Sequence, residues 1–364
     1  MHQSGGGGHK HFALARLKNG LIASAPAKLL PLPAVAELNV TGRGWCSDMD
    51  RIVNSGIKLL NRREFNGICA AFGSFVTLSG ASALDAAGGV PSNGGGRTVK
   101  LPDGTVVPAL GQGSAGLAKG RHSQAEEEQA LRTGISLNMM LIDTAESYGS
   151  EGLIGRAIAG QRDRVFLVSK VSANHVGGKG ITLACDANLA RLGTDHLDLY
   201  LLHWPNGITD YAGVVAAFEN LRSAGKVRAW GVSNFSVSQL ERLFRVSQGD
   251  RCATNQLPYS VGDRGIERDL LPWCEQHGML VMAYSPLGGP GANLLRDPTL
   301  AAIAAAHTCS AAAVALAWTI RSGHVIAIPE SGSVAHVKEN AVALSLTLTP
   351  EELQAVDSAH RSSR

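Results

Sequence analysis

From Thr98 onward, short apolar segments alternate with amphipathic segments along the chain. The apolar segments read as strands that end near Leu110, Asp143, Lys170, His203, Val232, Gln256, Tyr284 and Ile328. Segments with helical periodicity lie between them, such as Ser123–Leu137, Gly180–Arg191, Val214–Ala224, Ser236–Arg245, Glu267–His277 and Ser310–Ser322. Eight strand–helix units in succession predict an α/β fold of the (β/α)8 type, a TIM barrel.

A hairpin is predicted ahead of the barrel. The segment TVKLPDGTVVPAL places Asp103-Gly104 between two short apolar runs, which is a strong hairpin pattern. We therefore predict one barrel domain over residues 98–364, beginning with an N-terminal β-hairpin.

The first quarter of the chain has a different pattern. Arg62-Arg63 precedes an uncharged run over residues 65–84 that ends at the small residues Ala81-Ser82-Ala83. A basic pair, a moderately apolar core and an A-x-A triplet predict a twin-arginine (Tat) signal peptide over 49–87. Residues 1–48 are predicted to be disordered, or to lie upstream of a true start at Met49, and residues 88–97 form a Gly-rich linker.

This reading makes the Tat export machinery a partner and the periplasm the expected location. The alternatives are a cytoplasmic protein in which residues 65–84 form a buried helix, and a protein that this run anchors in the membrane. Stable membrane insertion is disfavoured because the run contains many Gly, Ser and Thr residues, whereas a span needs about 20 strongly apolar residues.

Composition excludes several other classes of protein. The chain is 45% hydrophobic and 17% charged with a formal net charge of +3, which is typical of a globular domain and gives no reason to expect a nucleic-acid partner. The six cysteines form no Cys-x-x-Cys pair, so no metal site is predicted. We expect a monomer.

Four ionisable residues follow the predicted strands: Asp143 and Tyr148 in LIDTAESYG, Lys170 in FLVSK and His203 in LYLLHWP. The carboxyl ends of barrel strands meet at one face, so these side chains are expected to converge. Singly, each has an ordinary structural explanation as a loop cap or a hydrogen-bonded core residue. Together they are suited to donating a proton to a carbonyl oxygen while hydride reaches its carbon.

The motifs around these residues resemble those of the aldo-keto reductases, in their bacterial form. They are, in order, GQGS (111–114), DTAESYG (143–149), SK (169–170), LLHWP (201–205), GVSNFS (231–236), NQLPY (255–259), AYSPLG (283–288) and IPESGSVAHVKEN (328–340). The resemblance runs from about Val99 to Asp357. It implies an NADP-dependent enzyme of the carbonyl reductase and alcohol dehydrogenase class, which reduces aldehydes and ketones to alcohols.

By resemblance, Tyr148 is the general acid, and the other three ionisable residues assist it. A free phenol titrates near pH 10, so we expect the Lys170 ammonium to lower the pKa of Tyr148. Asp143 is expected to hold Lys170, and His203 to orient the substrate oxygen.

The resemblance also implies the coenzyme contacts. Ser233, Asn234 and Gln256 would bind the nicotinamide carboxamide, and Tyr284 would stack on its ring. Ser285, Leu287 and Gly288 would lie along the pyrophosphate, and Ser331 and Ser333 stand at a predicted helix N-terminus that suits phosphate. Ser114 and Asn340 are further coenzyme-binding residues by resemblance.

Two departures from the family pattern bear on specificity. Glu330 and His336 stand where many relatives have Lys and Arg to grip the 2′-phosphate, and Lys338 offsets Glu330 only in part. NADP(H) is expected, with NAD(H) as the alternative. Ala115 replaces a Trp that many relatives have, Trp204 is expected to form a pocket wall, and the chain stops at Arg364 without a long C-terminal loop. We therefore expect an open pocket for small aldehydes, ketones or sugars.

Two rival hypotheses remain at this point. Residues 111–116 fit G-x-G-x-x-G, the fingerprint of an exported Rossmann oxidoreductase, although the helical pattern begins only near Ser123 rather than at the glycines. The other rival is a barrel that binds NAD(P)H as a sensor without turnover, which the complete set of four ionisable residues argues against.

Overall fold

The computed structural model describes residues 96–177, 179–289 and 291–360. The predicted upstream segment, the signal peptide and nearly all of the Gly-rich linker lie outside the described residues. Export therefore stays a prediction.

Eight parallel strands form the central sheet, as the sequence predicts. A two-stranded hairpin, β1 (Thr98–Lys100) and β2 (Val106–Pro108), precedes them. The sheet runs in chain order through β3 (Gln112–Gly113), β4 (Leu141–Asp143), β5 (Phe166–Val171), β6 (Leu197–Leu202), β7 (Val227–Ser233), β8 (Thr254–Pro258), β9 (Leu280–Tyr284) and β10 (Val325–Ala327).

Backbone hydrogen bonds close this sheet into a barrel. The amide of Gly111 donates to the carbonyl of Ala327 (2.8 Å), and the amide of Ala327 donates to that of Ala109 (2.9 Å). Gly113 and Glu330 form a further parallel bridge at the upper rim. The first and last strands are therefore neighbours, so the loops after β3, β9 and β10 lie side by side.

Ten α-helices occur in the part of the chain that the structure describes. They are α1 (Gln124–Ser136), α2 (Glu151–Ile158), α3 (Gly180–Leu192), α4 (Tyr211–Ser223), α5 (Val237–Phe244), α6 (Leu270–Gln276), α7 (Pro298–Ala306), α8 (Ala311–Thr319), α9 (Val334–Ala341) and α10 (Pro350–Ala359). Their starts follow local chemistry: Ser123 and Ser236 each accept a backbone N–H in a capping box, and Asp210 caps α4.

The predicted hairpin is confirmed. Thr98 pairs with Pro108 and Lys100 with Val106 in antiparallel register. Its turn uses Gly104 at a φ of +88°, a conformation that residues with a Cβ adopt at a cost.

The glycines of the G-x-G-x-x-G segment serve the barrel instead of a phosphate loop. A Cβ on Gly111 would lie 2.6 Å from Cδ2 of Leu141, and one on Gly113 would lie 2.8 Å from the carbonyl oxygen of Ile328. Close approach of neighbouring strands explains both residues. Because α1 begins only at Gln124, the Rossmann hypothesis is wrong.

The core is continuous from the barrel interior to the helices. All residues of β5 and β6 are buried, as expected of strands covered on both faces. The thiols of Cys185, Cys252 and Cys274 are buried and Cys309 is half-buried, with none in a disulfide. No group of three or more metal-ligating side chains occurs among the described residues.

Membrane-spanning potential is limited in this part of the chain. Among the described residues no single helix is both long and apolar enough to cross a bilayer, and α7 with α8 meets those requirements only as a pair bent by 98°.

Candidate active site

The four predicted ionisable residues come together at the carboxyl end of the barrel. Asp143 is the last residue of β4, Lys170 lies near the end of β5, and His203 directly follows β6. Tyr148 lies in the loop after β4, where its amide donates to the carbonyl of Ala145 (3.1 Å). Parallel strands bring these ends to one rim, which is where barrel enzymes have their active sites.

Lys170 and Asp143 form a buried ion pair. The Lys170 Nζ lies 2.5 Å from Asp143 Oδ1, with 0% and 3% of the two side chains exposed. The ammonium also donates to the carbonyl oxygen of Thr144 (2.8 Å). A buried ammonium needs an ionic partner and a second acceptor to remain charged, and Asp143 and the Thr144 carbonyl supply both to Lys170.

The phenol of Tyr148 lies between a cation and an imidazole. Its hydroxyl oxygen is 3.4 Å from Lys170 Nζ and 3.4 Å from His203 Nε2. The rings of Tyr148 and His203 meet edge to face, with centroids 5.6 Å apart. Both side chains are half-buried, so the hydroxyl is reachable from the barrel mouth.

The electrostatics differ from prediction in one respect. Burial, with the negative charges of Asp143 and Glu330, raises the pKa of Tyr148 above its usual value, so the net shift is opposite to the one expected from the Lys170 charge alone. Asp143 offsets the charge of Lys170, whose own pKa burial lowers. Burial and the Lys170 charge lower the pKa of His203 to about 4. At neutral pH the site therefore holds a protonated phenol and a neutral imidazole.

A cluster of hydroxyls holds the loop that carries Tyr148. Ser114 Oγ donates to the backbone carbonyl of Asp143 (2.8 Å) and bonds Ser150 Oγ (2.9 Å), which in turn bonds Thr144 Oγ1 (3.0 Å). Ser114 is 1% exposed. Its hydroxyl is covered and supports the loop, and the predicted contact of Ser114 with the coenzyme stays a prediction.

The predicted carboxamide contacts lie beside the ionisable residues. Gln256 Nε2 donates to Asp143 Oδ2 (2.8 Å), and Ser233 Oγ donates to the carbonyl of Gln256 (2.9 Å). Asn234 donates to the carbonyl of His203 (3.1 Å) and accepts from the Tyr284 hydroxyl (3.1 Å). Asn234 has a φ of 64°, a strained value that side-chain hydrogen bonds at both ends hold in place.

A cleft opens beside Tyr284, between the loops after β8 and β9. Its volume is about 780 Å³, and its lining includes Tyr284, Ser285 and Gly288. Ser285 is exposed with a φ of 50°, and Leu287 packs against the core. Arg296 also lines the cleft and is exposed; sequence reasoning missed it because no motif surrounds it.

The helix predicted after Ser331 and Ser333 is present, and phosphate binding at its N-terminus stays a prediction. Ser333 is the N-cap residue of α9, its amide donates to Ser331 Oγ (3.0 Å), and both serines are half-buried. Asn340, by contrast, lies within α9 at 3% exposure. The predicted contact of Asn340 with the coenzyme stays a prediction.

Glu330 is paired, which the sequence did not reveal. Its carboxylate accepts from the guanidinium of Arg121 and from the amide of Gly116, both in the loop after β3. Arg121 lies in no recognisable motif, so only the barrel closure brings it to Glu330. His336 and Lys338 are exposed on α9.

The outer part of the mouth is open and carries an aromatic side chain. Trp204 is 46% exposed and stacks on His203 with centroids 6.0 Å apart. Ala115, in the loop after β3, is also exposed. Lys119 reaches the backbone carbonyl of Tyr148 (2.6 Å), which adds a positive charge at the rim.

Comparison with known proteins identifies the class. The sequence profile described as "Aldo/keto reductase family" matches residues 109–361. The chain therefore belongs to the aldo/keto reductase family, whose members are oxidoreductases, and the resemblance inferred from its motifs is confirmed.

Individual relatives agree with this assignment. The chain is 47% identical to methylglyoxal reductase YeaE of Escherichia coli over 260 residues, which cover 70% of this chain and 91% of that protein. It is 33% identical to a glyoxal reductase of Bacillus subtilis over 270 residues, covering 73% and 94% of the two chains. A crystal structure of an aldo/keto reductase from Klebsiella pneumoniae in complex with NADP and acetate superposes with a TM-score of 0.70 at 42% identity, covering 74% of this chain and 97% of that one.

Proposed function

We propose that this protein reduces small aldehydes and ketones to alcohols with NADP(H), with Tyr148 as the general acid. The observation that carries the proposal is the Tyr148 hydroxyl, which lies 3.4 Å from both Lys170 Nζ and His203 Nε2 at the open end of the barrel. This hydroxyl has a proton to donate. The Lys170 ammonium beside it can stabilise the phenolate that remains, and the neutral imidazole of His203 lies on its other side.

The reaction requires one proton at the substrate oxygen. Neutral His203 holds that oxygen by a hydrogen bond, and Tyr148 donates its proton to it as the carbonyl becomes an alcohol. An alkoxide is a stronger base than a phenolate, so the transfer is favourable despite the raised pKa of Tyr148. Lys170 then stabilises the phenolate until solvent returns the proton.

The residues present fit a nicotinamide coenzyme. Tyr284, Ser285, Gly288 and Arg296 line a cleft, and the Tyr284 hydroxyl donates to Asn234. The α9 N-terminus offers Ser331 and Ser333 to a phosphate. When bound, the coenzyme supplies the hydride. The side-chain amides of Asn234 and Gln256 and the half-buried ring of Tyr284 are groups that could hold a carboxamide and its ring.

NADP(H) is preferred over NAD(H) for two reasons. The charge of Glu330 is offset by Arg121, so the repulsion expected from the sequence is reduced. Two Klebsiella pneumoniae structures that match this chain at 42% identity were solved with NADP and with NADPH.

Small 2-oxoaldehydes are the substrates we propose first. The relative with 47% identity is named a methylglyoxal reductase and another is named a glyoxal reductase. Trp204 lies exposed beside His203 and would form one wall of the pocket for such a compound.

The test is an assay of the purified protein with NADPH and methylglyoxal, followed by the loss of absorbance at about 340 nm, with 4-nitrobenzaldehyde and a sugar aldehyde in parallel. Oxidation of NADPH that depends on the carbonyl compound supports the proposal. Binding of NADPH without oxidation by any compound would instead favour the sensor. Repeating the assay with NADH measures the coenzyme preference, and a strong preference for NADH would overturn the proposed use of NADP(H).

A further inference from the structure

Gln256 makes a contact that its expected coenzyme role does not explain. Its Nε2 donates to Asp143 Oδ2 at 2.8 Å, while Lys170 occupies Oδ1 of the same carboxylate at 2.5 Å. Gln256 and Asp143 are each 2% exposed. The carboxylate therefore has one buried donor on each oxygen.

The contact crosses the barrel. Asp143 ends β4, and Gln256 lies in β8, four strands away in a sheet of eight. Strands with that separation face each other across the interior. The Gln256 side chain thus reaches over the top of the core to the opposite wall, rather than to a neighbouring strand.

The chemistry fixes the orientation of the amide. An ionised carboxylate only accepts hydrogen bonds, so the Gln256 nitrogen must face Asp143 and the amide oxygen must face away. Among the described residues, no hydrogen bond engages that oxygen; the bonds of the side chain are all made by Nε2. The oxygen is thus left for a donor that the protein itself does not supply.

We propose that Gln256 is a positioning residue of the reaction: it holds the Asp143 carboxylate, and through it the Lys170 ammonium, in place against Tyr148. The inference deepens the proposed function and rests on it. In that reaction the free amide oxygen accepts from the coenzyme carboxamide, so one side chain joins the coenzyme to the group that positions the proton donor.

The consequence of losing this bond follows from burial. Without the Gln256 donor, Asp143 keeps one partner in an environment that penalises its charge. Lys170 then loses the fixed partner that keeps it charged, and Tyr148 loses its neighbouring cation. The charged and titratable groups around this site are Asp143 on β4, Tyr148 in the loop after β4, Lys170 on β5, His203 after β6, Tyr284 at the end of β9, Glu330 after β10, and Lys119, which donates to the Tyr148 carbonyl from the loop after β3.

The first experiment compares Gln256→Met with Ser233→Ala. Met keeps the length of the side chain but cannot donate, whereas Ser233 bonds the Gln256 backbone and makes no contact with Asp143. We expect kcat of Gln256→Met to fall by about 10- to 100-fold, as for loss of a hydrogen bond to a buried charge. Ser233→Ala should instead weaken NADPH binding and keep the pH profile of kcat.

The second experiment uses Gln256→Glu, whose introduced carboxyl group donates to Asp143 only when it is protonated. Two carboxylates that share a site cannot both ionise easily, so the pKa of one is raised. At low pH, the protonated carboxyl of this variant replaces the amide donor and kcat approaches that of the wild type. As the pH rises through neutrality, the second carboxylate ionises, repels Asp143 and lowers kcat, whereas the wild-type profile stays flat.

Two measurements that need no turnover, one of coenzyme binding and one of the Tyr148 titration, keep the result decisive. The dissociation constant of NADPH, from protein fluorescence, shows that each variant is folded. The phenol titration of Tyr148 is obtained by ultraviolet difference against Tyr148→Phe, and we expect Gln256→Met to shift it while Ser233→Ala leaves it in place. An unchanged Tyr148 titration, or a Gln256→Met variant altered only in NADPH affinity, overturns the positioning role. Because these readouts need no turnover, they separate its failure from failure of the proposed reaction.

Discussion

The ammonium nitrogen of Lys170 lies 2.5 Å from Oδ1 of Asp143, and neither side chain has appreciable contact with solvent. A buried pair of this kind contributes little net stability, because the cost of removing two charges from water offsets their attraction. Its presence at the barrel mouth is therefore better explained by the need for a cation beside Tyr148 than by folding.

Breaking that pair should destabilise the protein more than replacing it. We expect Lys170→Met to lower the free energy of unfolding by about 3–5 kcal/mol at pH 7, because Asp143 is left buried without its cation. The double variant Lys170→Met/Asp143→Leu should be more stable than Lys170→Met alone. Urea unfolding of the wild type, Lys170→Met, Asp143→Leu and the double variant measures both quantities, and additive losses of the two single variants would contradict the account.

The pH dependence should lack an ordinary histidine titration. The pKa of His203 is lowered to about 4 and that of Tyr148 is raised, so both keep their neutral forms between these limits. We expect kcat/KM for carbonyl reduction to be flat from about pH 5.5 to 9. An acid limb centred near the ordinary His value of about 6.5 that disappears in His203→Asn would show that the imidazole is not neutral.

The free energy of unfolding should also depend on the protonation of His203. Because the unfolded chain binds a proton at His203 at higher pH than the folded protein, the free energy of unfolding is highest above the unfolded pKa of about 6.5 and falls as the pH drops toward 4. A His203→Asn variant removes this contribution and should show a shallower fall. Denaturant titrations at several pH values compare the two slopes, and equal slopes would refute the buried neutral imidazole.

Arg121 should control the coenzyme preference. Its guanidinium pairs with Glu330, which directly precedes Ser331 and the start of α9. In Arg121→Ala the Glu330 charge is unopposed, so NADPH affinity should fall roughly tenfold with little change for NADH. Arg245, an exposed arginine at the end of α5, provides the control Arg245→Ala. Equal losses for NADPH and NADH would contradict a role at the 2′-phosphate.

Trp204 should act on substrate binding. It is exposed and stacks on His203, so Trp204→Ala should raise KM for methylglyoxal while kcat changes by less than KM does. Leu183, a 64% exposed side chain on α3, gives the matched control Leu183→Ala, which should leave both constants unchanged. Steady-state kinetics of the two variants decide the point. An unchanged KM in Trp204→Ala would show that Trp204 does not form a wall of the substrate pocket.

The sequence predicted the barrel and the ionisable residues because both depend on local patterns. Strand ends were placed within about two or three residues, and Asp143, Lys170 and His203 were found from the strand ends together with the motifs around them. The Arg121–Glu330 pair and the Gln256–Asp143 bond could not be predicted, because each joins segments that meet only once the barrel closes. Burial, which reverses the expected shift in the pKa of Tyr148, is likewise a property of the packed site.

The most direct test of the account is the Tyr148→Phe variant. This substitution keeps the aromatic ring but removes the hydroxyl proton, so kcat/KM for methylglyoxal should fall by about 10²- to 10⁴-fold while the dissociation constant of NADPH stays within about twofold. Carbonyl reduction by Tyr148→Phe at a rate near that of the wild type would contradict the assignment of Tyr148 as the proton donor.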